Sequence, residues 1–116
     1  MKTAHTIITL LLALTFLISG LSKASASNAG LSGTRDVGFP DGPARLVGIF
    51  ETLAAMSLVI GFVFDNPTLE QYGYTAIIAT MAGAIYFHFR ANKMRTAFPA
   101  MLFLILATIG IFSSKI

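Results

Sequence analysis

Residues 45–64 read RLVGIFETLAAMSLVIGFVF, a run that is apolar almost throughout. About 20 such residues are enough to cross the ~30 Å hydrocarbon core of a bilayer. One carboxylate, Glu51, lies inside the run. An ionisable group at mid-bilayer costs at least roughly 2.5–3.5 kcal/mol, so it marks either a function or a buried partner. Glu51 is about 9 Å along a helix from Arg45, below headgroup level but short of the midplane.

Composition agrees with a membrane setting. Of 116 residues, 55% are hydrophobic and 11% charged, and the mean hydropathy is +0.78, far from the balance of a soluble domain. The chain has no cysteine. Disulfides, thiolate chemistry, Cys-ligated zinc, iron–sulfur clusters and c-type haem attachment on this chain alone are thereby excluded. The net charge of +3 is small and sits in the connectors, so it reads as a topology signal and not as a nucleic-acid footprint.

Working outward, residues 3–22 form a first apolar span. Lys2 and the triplet Ala24-Ser25-Ala26 also fit a signal peptide with an A-x-A cleavage site; the expectation is a retained span. Residues 23–43 turn to Ser, Gly, Ala, Asn and Pro, and read as a long loop. Asp41-Gly42-Pro43 then opens a helix over 44–64. Asp65-Asn66-Pro67 breaks the chain, with Asn66 as cap and Pro67 in the first turn of a helix over 67–89. Residues 90–96 are a basic connector, and 97–113 make a fourth apolar helix with Pro99 in its first turn. The expected fold is all-α, a single four-transmembrane-helix bundle. Lys23, Arg35, Arg45, Arg90, Lys93 and Arg95 fall on the connector side, against Lys2 and Lys115 on the other. That bias puts connectors 23–45 and 90–96 in the cytoplasm and both termini outside.

Each span carries a row of small or polar residues suited to close helix packing. The rows run through Thr6, Thr9, Ala13, Phe16, Gly20 and Lys23; through Gly48, Glu51, Thr52, Ala55 and Val59; through Ala76, Thr80, Ala84 and His88; and through Ala100, Phe103, Ala107 and Gly110. Four spans bring the end of the first, the start of the second and the end of the third into one leaflet. Lys23, Arg45, Glu51, His88 and Arg90 are therefore the candidate cluster. A Lys or Arg stem can snorkel to Glu51, and the His88 imidazole can approach from the third span. Two readings stay open: a polar pocket for a quinone head group, a small polar ligand or a proton, or a buried ion pair that fixes helix register. Tyr72, Tyr74 and Tyr86 read as interfacial or packing residues. His5 and His88 fall at opposite ends of their spans, which argues against a shared metal or haem.

Four short motifs carry a family resemblance. FLISGLSK at 16–23 is similar to an F-x-x-S-G-x-x-K close of a first helix, and VGFP at 37–40 to a G-[YF]-P segment. RLVGIFE at 45–51 resembles a G-x-x-E opening of a second helix, and GAIYFH at 83–88 a G-A-x-x-x-H close of a third. In this order they resemble the DoxX-like membrane proteins. The resemblance implies a four-helix integral membrane protein with Lys23, Glu51 and His88 at the family's polar positions. Members of that family are similar in shape but not in role; the expectation, resting on the one-leaflet polar cluster, is a small subunit or accessory protein of a quinone-linked redox system. The alternative is a non-enzymatic assembly factor or structural subunit of a larger membrane complex. No covalent cofactor and no metal is expected, a bound quinone is, and the chain is not expected to be catalytic on its own. Expected partners are membrane lipid and other membrane subunits or further copies of the chain, with no nucleic acid.

Overall fold

The computed structural model describes residues 2–113, which are helical with short connections. The helices are α1 (Lys2–Ala24), α2 (Asn28–Asp36), α3 (Asp41–Val63), α4 (Pro67–Arg90) and α5 (Phe98–Ser113), with a 3-10 turn at Met94–Ala97 before α5. Residues 23–43 were expected to be irregular, and the structure corrects this. Helix α1 runs on to Ala24, α3 begins at Asp41, and α2 occupies most of the space between. The Ser27 side chain caps α2 by accepting from the Gly30 N–H, and Leu31 anchors it by full burial.

Four helices stop in the same way. Ala26, Gly38, Asp65 and Asn92 adopt left-handed φ values of 61, 76, 55 and 58°. The next residue in each case donates back across five positions: Ser27 to Ser22, Phe39 to Thr34, Asn66 to Gly61 and Lys93 to His88. These are Schellman ends, which satisfy carbonyls the helix would otherwise leave bare. Only Gly38 advertises the motif by residue type, because glycine alone reaches this region without steric cost. After Asp65, the Asn66 side chain accepts from the Thr68 and Leu69 N–H groups, and Pro67 takes the first turn of α4.

The bundle closes through α1 on α3, α3 on α4, α4 on α5 and α5 back on α1. Its core is Leu12, Ala13 and Phe16 from α1, Ala54, Ala55 and Leu58 from α3, and Tyr74, Ile77 and Met81 from α4, completed by Ala100 and Ala107. The tightest crossing is α1 over α3. A Cβ placed on Gly48 would lie 2.7 Å from the Gly20 carbonyl oxygen and 2.6 Å from the Lys23 Cβ. Backbones meet there because neither helix has a side chain in the way.

Two packing expectations need correction. The buried row of α4 is Glu70, Gly73, Tyr74, Ile77 and Met81, while Ala76, Thr80, Ala84 and His88 are half-buried. The true face lies one residue, about 100°, round the helix, because the Tyr74 and Ile77 side chains fill the interior. Val59 is 40% exposed and is not in the interface. Three helical stretches are long and apolar enough to cross a membrane: Thr3–Ala24, Asp41–Val63 and Met94–Ser113. The 24 residues of α4 are sufficient in length, but Gln71, three tyrosines, His88 and two charged ends dilute its apolarity. Several of these polar groups turn inward instead of facing outward, Glu70 and Tyr74 foremost.

Candidate functional site

The Gly20–Gly48 crossing positions the first polar cluster. With the backbones in contact, Lys23, one turn beyond Gly20, overlies Glu51, one turn beyond Gly48. The Lys23 Nζ donates to Glu51 Oε1 at 2.8 Å, and the Ser19 hydroxyl reaches the same oxygen at 3.4 Å. Glu51 is 1% exposed. Its second oxygen, Oε2, is buried and has no hydrogen-bond partner among the described residues. A buried carboxylate oxygen without a donor costs desolvation energy with no return, so it calls for an explanation.

The other candidates are placed differently. The Arg45 Nε donates to the Ala24 carbonyl at 3.1 Å, closing the end of α1. The His88 Nδ1 lies 2.6 Å from Thr96 Oγ1. That hydroxyl donates to the Lys93 carbonyl at 2.8 Å, so the imidazole Nδ1–H is the donor and the ring ties α4 to the turn before α5. Arg90 is exposed at the end of α4. The structure thus brings Lys23 to Glu51 but leaves Arg45, His88 and Arg90 out of that bond. Both arginines sit at the rim, where a guanidinium keeps its hydration, and only the Lys23 stem descends.

His88 and Lys23 do share a surface. A cavity of about 500 Å³ lies between α1, α3 and α4 and is closed at its end by α2. Its polar groups are Lys23, Thr34, Thr80 and His88, and its walls are otherwise apolar, with Phe39, Phe50 and Phe87 prominent. Phe39 packs edge-on against Phe87 with ring centroids 4.8 Å apart. Such a volume, apolar with a few convergent polar groups, is typical of a small-molecule site. The connectors meet over this end, where Lys93 Nζ pairs with Asp36 Oδ1 at 2.9 Å.

The model of the DoxX-like family matches residues 7–110. The protein belongs to the DoxX-like family. No curated protein and no solved structure matches the chain significantly. The family match spans Lys23, Glu51, His88 and all four motifs quoted above.

This DoxX-like chain also has a second polar cluster, at the opposite end, that sequence reasoning missed. The His5 Nε2 lies 2.6 Å from Glu70 Oε1, and its Nδ1 lies 2.7 Å from Ser113 Oγ. One turn inward, the Thr9 hydroxyl bonds the fully buried Tyr74 hydroxyl, and the Tyr74 ring stands 6.0 Å from that of His5. Tyr72 and Tyr86, by contrast, are exposed. The cluster draws on the start of α1, the start of α4 and the end of α5. Four alternating helices put those three points together, the same reasoning that grouped Lys23 with Glu51, so the signal was present. Glu70 escaped because an acid three residues after a helix-opening proline reads as a favourable first-turn charge.

Proposed function

We propose that this DoxX-like protein is a four-span integral membrane subunit or accessory component of a quinone-linked redox system. In this reading the cavity bordered by Lys23, whose ammonium group pairs with the buried Glu51, receives a quinone head group. The observation that carries it is the coincidence of space and spare bonding capacity: about 500 Å³ of mostly apolar volume bordered by an ammonium group whose acidic partner retains a donor-less oxygen. A pair serving only as a helix-register device would be expected to exhaust its hydrogen bonds, since unsatisfied buried groups weaken the fold.

The fourth span in this reading is α4, which is long enough to cross and turns Glu70 and Tyr74 into the bundle. The connectors face the cytoplasm, because both lie at the end holding Lys23, Arg35, Arg45, Arg90, Lys93 and Arg95. Family kinship supports membrane residence without choosing a role, since one fold hosts many.

The test is what the protein retains. Purified from its native membrane in mild detergent, the wild-type chain should carry extractable quinone. The double variant Lys23→Met with Glu51→Gln keeps the volume of the pair and removes its charges, and should carry several-fold less. Equal quinone in the two preparations would sink the proposal.

A further inference from the structure

Glycine is a poor helix former, so a glycine inside a helix calls for a reason. Most of the helix glycines here have one. A Cβ on Gly20 or Gly48 would strike the partner backbone, on Gly61 the backbone of Glu70, on Gly73 the Leu58 side chain and on Gly110 the Tyr74 ring. Gly33 in α2 and Gly83 in α4 are different: a Cβ on either would meet nothing within 4 Å. Both line the cavity beside Lys23. Gly42 is equally unencumbered, but it occupies the first turn of α3 and does not line the cavity.

The position of Gly83 follows from how α3 and α4 diverge. Near their shared turn at Asp65 the two helices are in backbone contact, Gly61 against Glu70 and Gly73 against the Ala54 carbonyl. At the level of Gly83 a Cβ would meet nothing within 4 Å, and the cavity is a wedge lined by Leu46, Val47 and Phe50 of α3 and by Gly83 and Phe87 of α4. Its outer edge is formed by Leu46 and Phe50, 66% and 48% exposed on the outward side of α3. Its polar groups are Lys23, Thr34, Thr80 and His88. The wedge thus has an apolar mouth on the face that a membrane helix turns to lipid, and a few polar groups to meet a head group.

We propose that Gly33 and Gly83 are the residues that set which ligand this cavity admits. Their missing side chains keep the wedge wide enough for the flat body of a lipid-soluble amphiphile whose polar end meets Lys23. This rests on the cavity being the ligand site, as proposed above. The glycines serve the ligand and not the fold, so filling the space closes the site and leaves the bundle intact.

The experiment uses the full-length chain in mild detergent with decylubiquinone as probe, reading the thermal midpoint with and without it. Without probe, Gly83→Ala, Gly83→Leu and Gly33→Leu should melt at or above the wild-type temperature. With probe, Gly83→Leu and Gly33→Leu should lose the upward shift seen in the wild type, corresponding to at least tenfold weaker binding. Gly83→Ala should fall between, and Gly42→Leu should respond like the wild type. If the leucine variants still bind as the wild type does while Lys23→Met with Glu51→Gln does not, the role of the glycines is overturned and the site reading survives. If the wild type itself shows no shift, both fall. A Gly83→Leu chain that unfolds would also overturn the inference, because the space would then belong to the packed protein.

Discussion

The two ends of this bundle each pair an acid with a base, and they differ in what is left over. At one end Glu70 meets His5, which also bonds Ser113, and the surroundings are closely packed, with Gly61 backing Glu70 and Gly110 backing Tyr74. At the other end Glu51 meets Lys23 and Ser19 through a single oxygen, its buried second oxygen has no partner among the described residues, and Lys23 borders an open cavity. Burial of charge is common to both. What separates a structural clasp from a candidate ligand site is the accessible volume that Lys23 borders and the His5–Glu70 pair does not.

That contrast can be broken by substitution. The largest effect is expected from Glu51→Ala, which leaves Lys23 facing an apolar crossing; loss of one partner of a buried pair costs about 3–5 kcal/mol. Thermal unfolding in detergent should show it as a large drop in midpoint, and Lys23→Met combined with Glu51→Gln should recover most of that drop. A drop at the double variant equal to that of Glu51→Ala would mean the charges are not what stabilises the crossing.

Glu70→Ala should cost less, about 1–3 kcal/mol for the His5 partner left without its acceptor. It should leave any bound quinone in place, since it acts at the far end. If Glu70→Ala and the Glu51 variants lowered quinone content alike, the assignment of one end to structure and the other to ligand would fail. Gly110→Ala presses a methyl group into the Tyr74 ring and should cost about 1–3 kcal/mol by overpacking, again without change in quinone content.

The smallest effect belongs to the connectors. Asp36 and Lys93 are both more than 40% exposed, so Asp36→Asn should change stability by no more than about 1 kcal/mol, an amount that high salt erases. The orientation of the connectors can be read separately. The chain has no cysteine, so single cysteines at Ser32 and at Asp65 can be labelled in sealed cells with a membrane-impermeant maleimide. Asp65→Cys should react from outside and Ser32→Cys only after lysis; the reverse pattern would invert the topology.

Membrane character, the all-helical class, and the family could be recognised in the order of residues, because all three rest on local composition and on short motifs. Lys23 and Glu51 could be named from helix parity alone. Helix α2 could not, since its sequence NAGLSGTRD has the residue types of a loop, and its helix depends on Leu31 finding a place beneath it and Ser27 capping it. The rotated face of α4 was hidden for a related reason. A row of small residues at four-residue spacing is a local pattern, whereas the buried row is chosen by which large side chains, here Tyr74 and Ile77, fit the space left by α1 and α3. The His5–Glu70–Ser113 cluster draws its members from three helices up to 108 positions apart. Periodicity and composition are properties of neighbours in the chain, and so could be read directly; cavities, orphaned oxygens and unfilled glycines exist only once distant helices have taken up their separations.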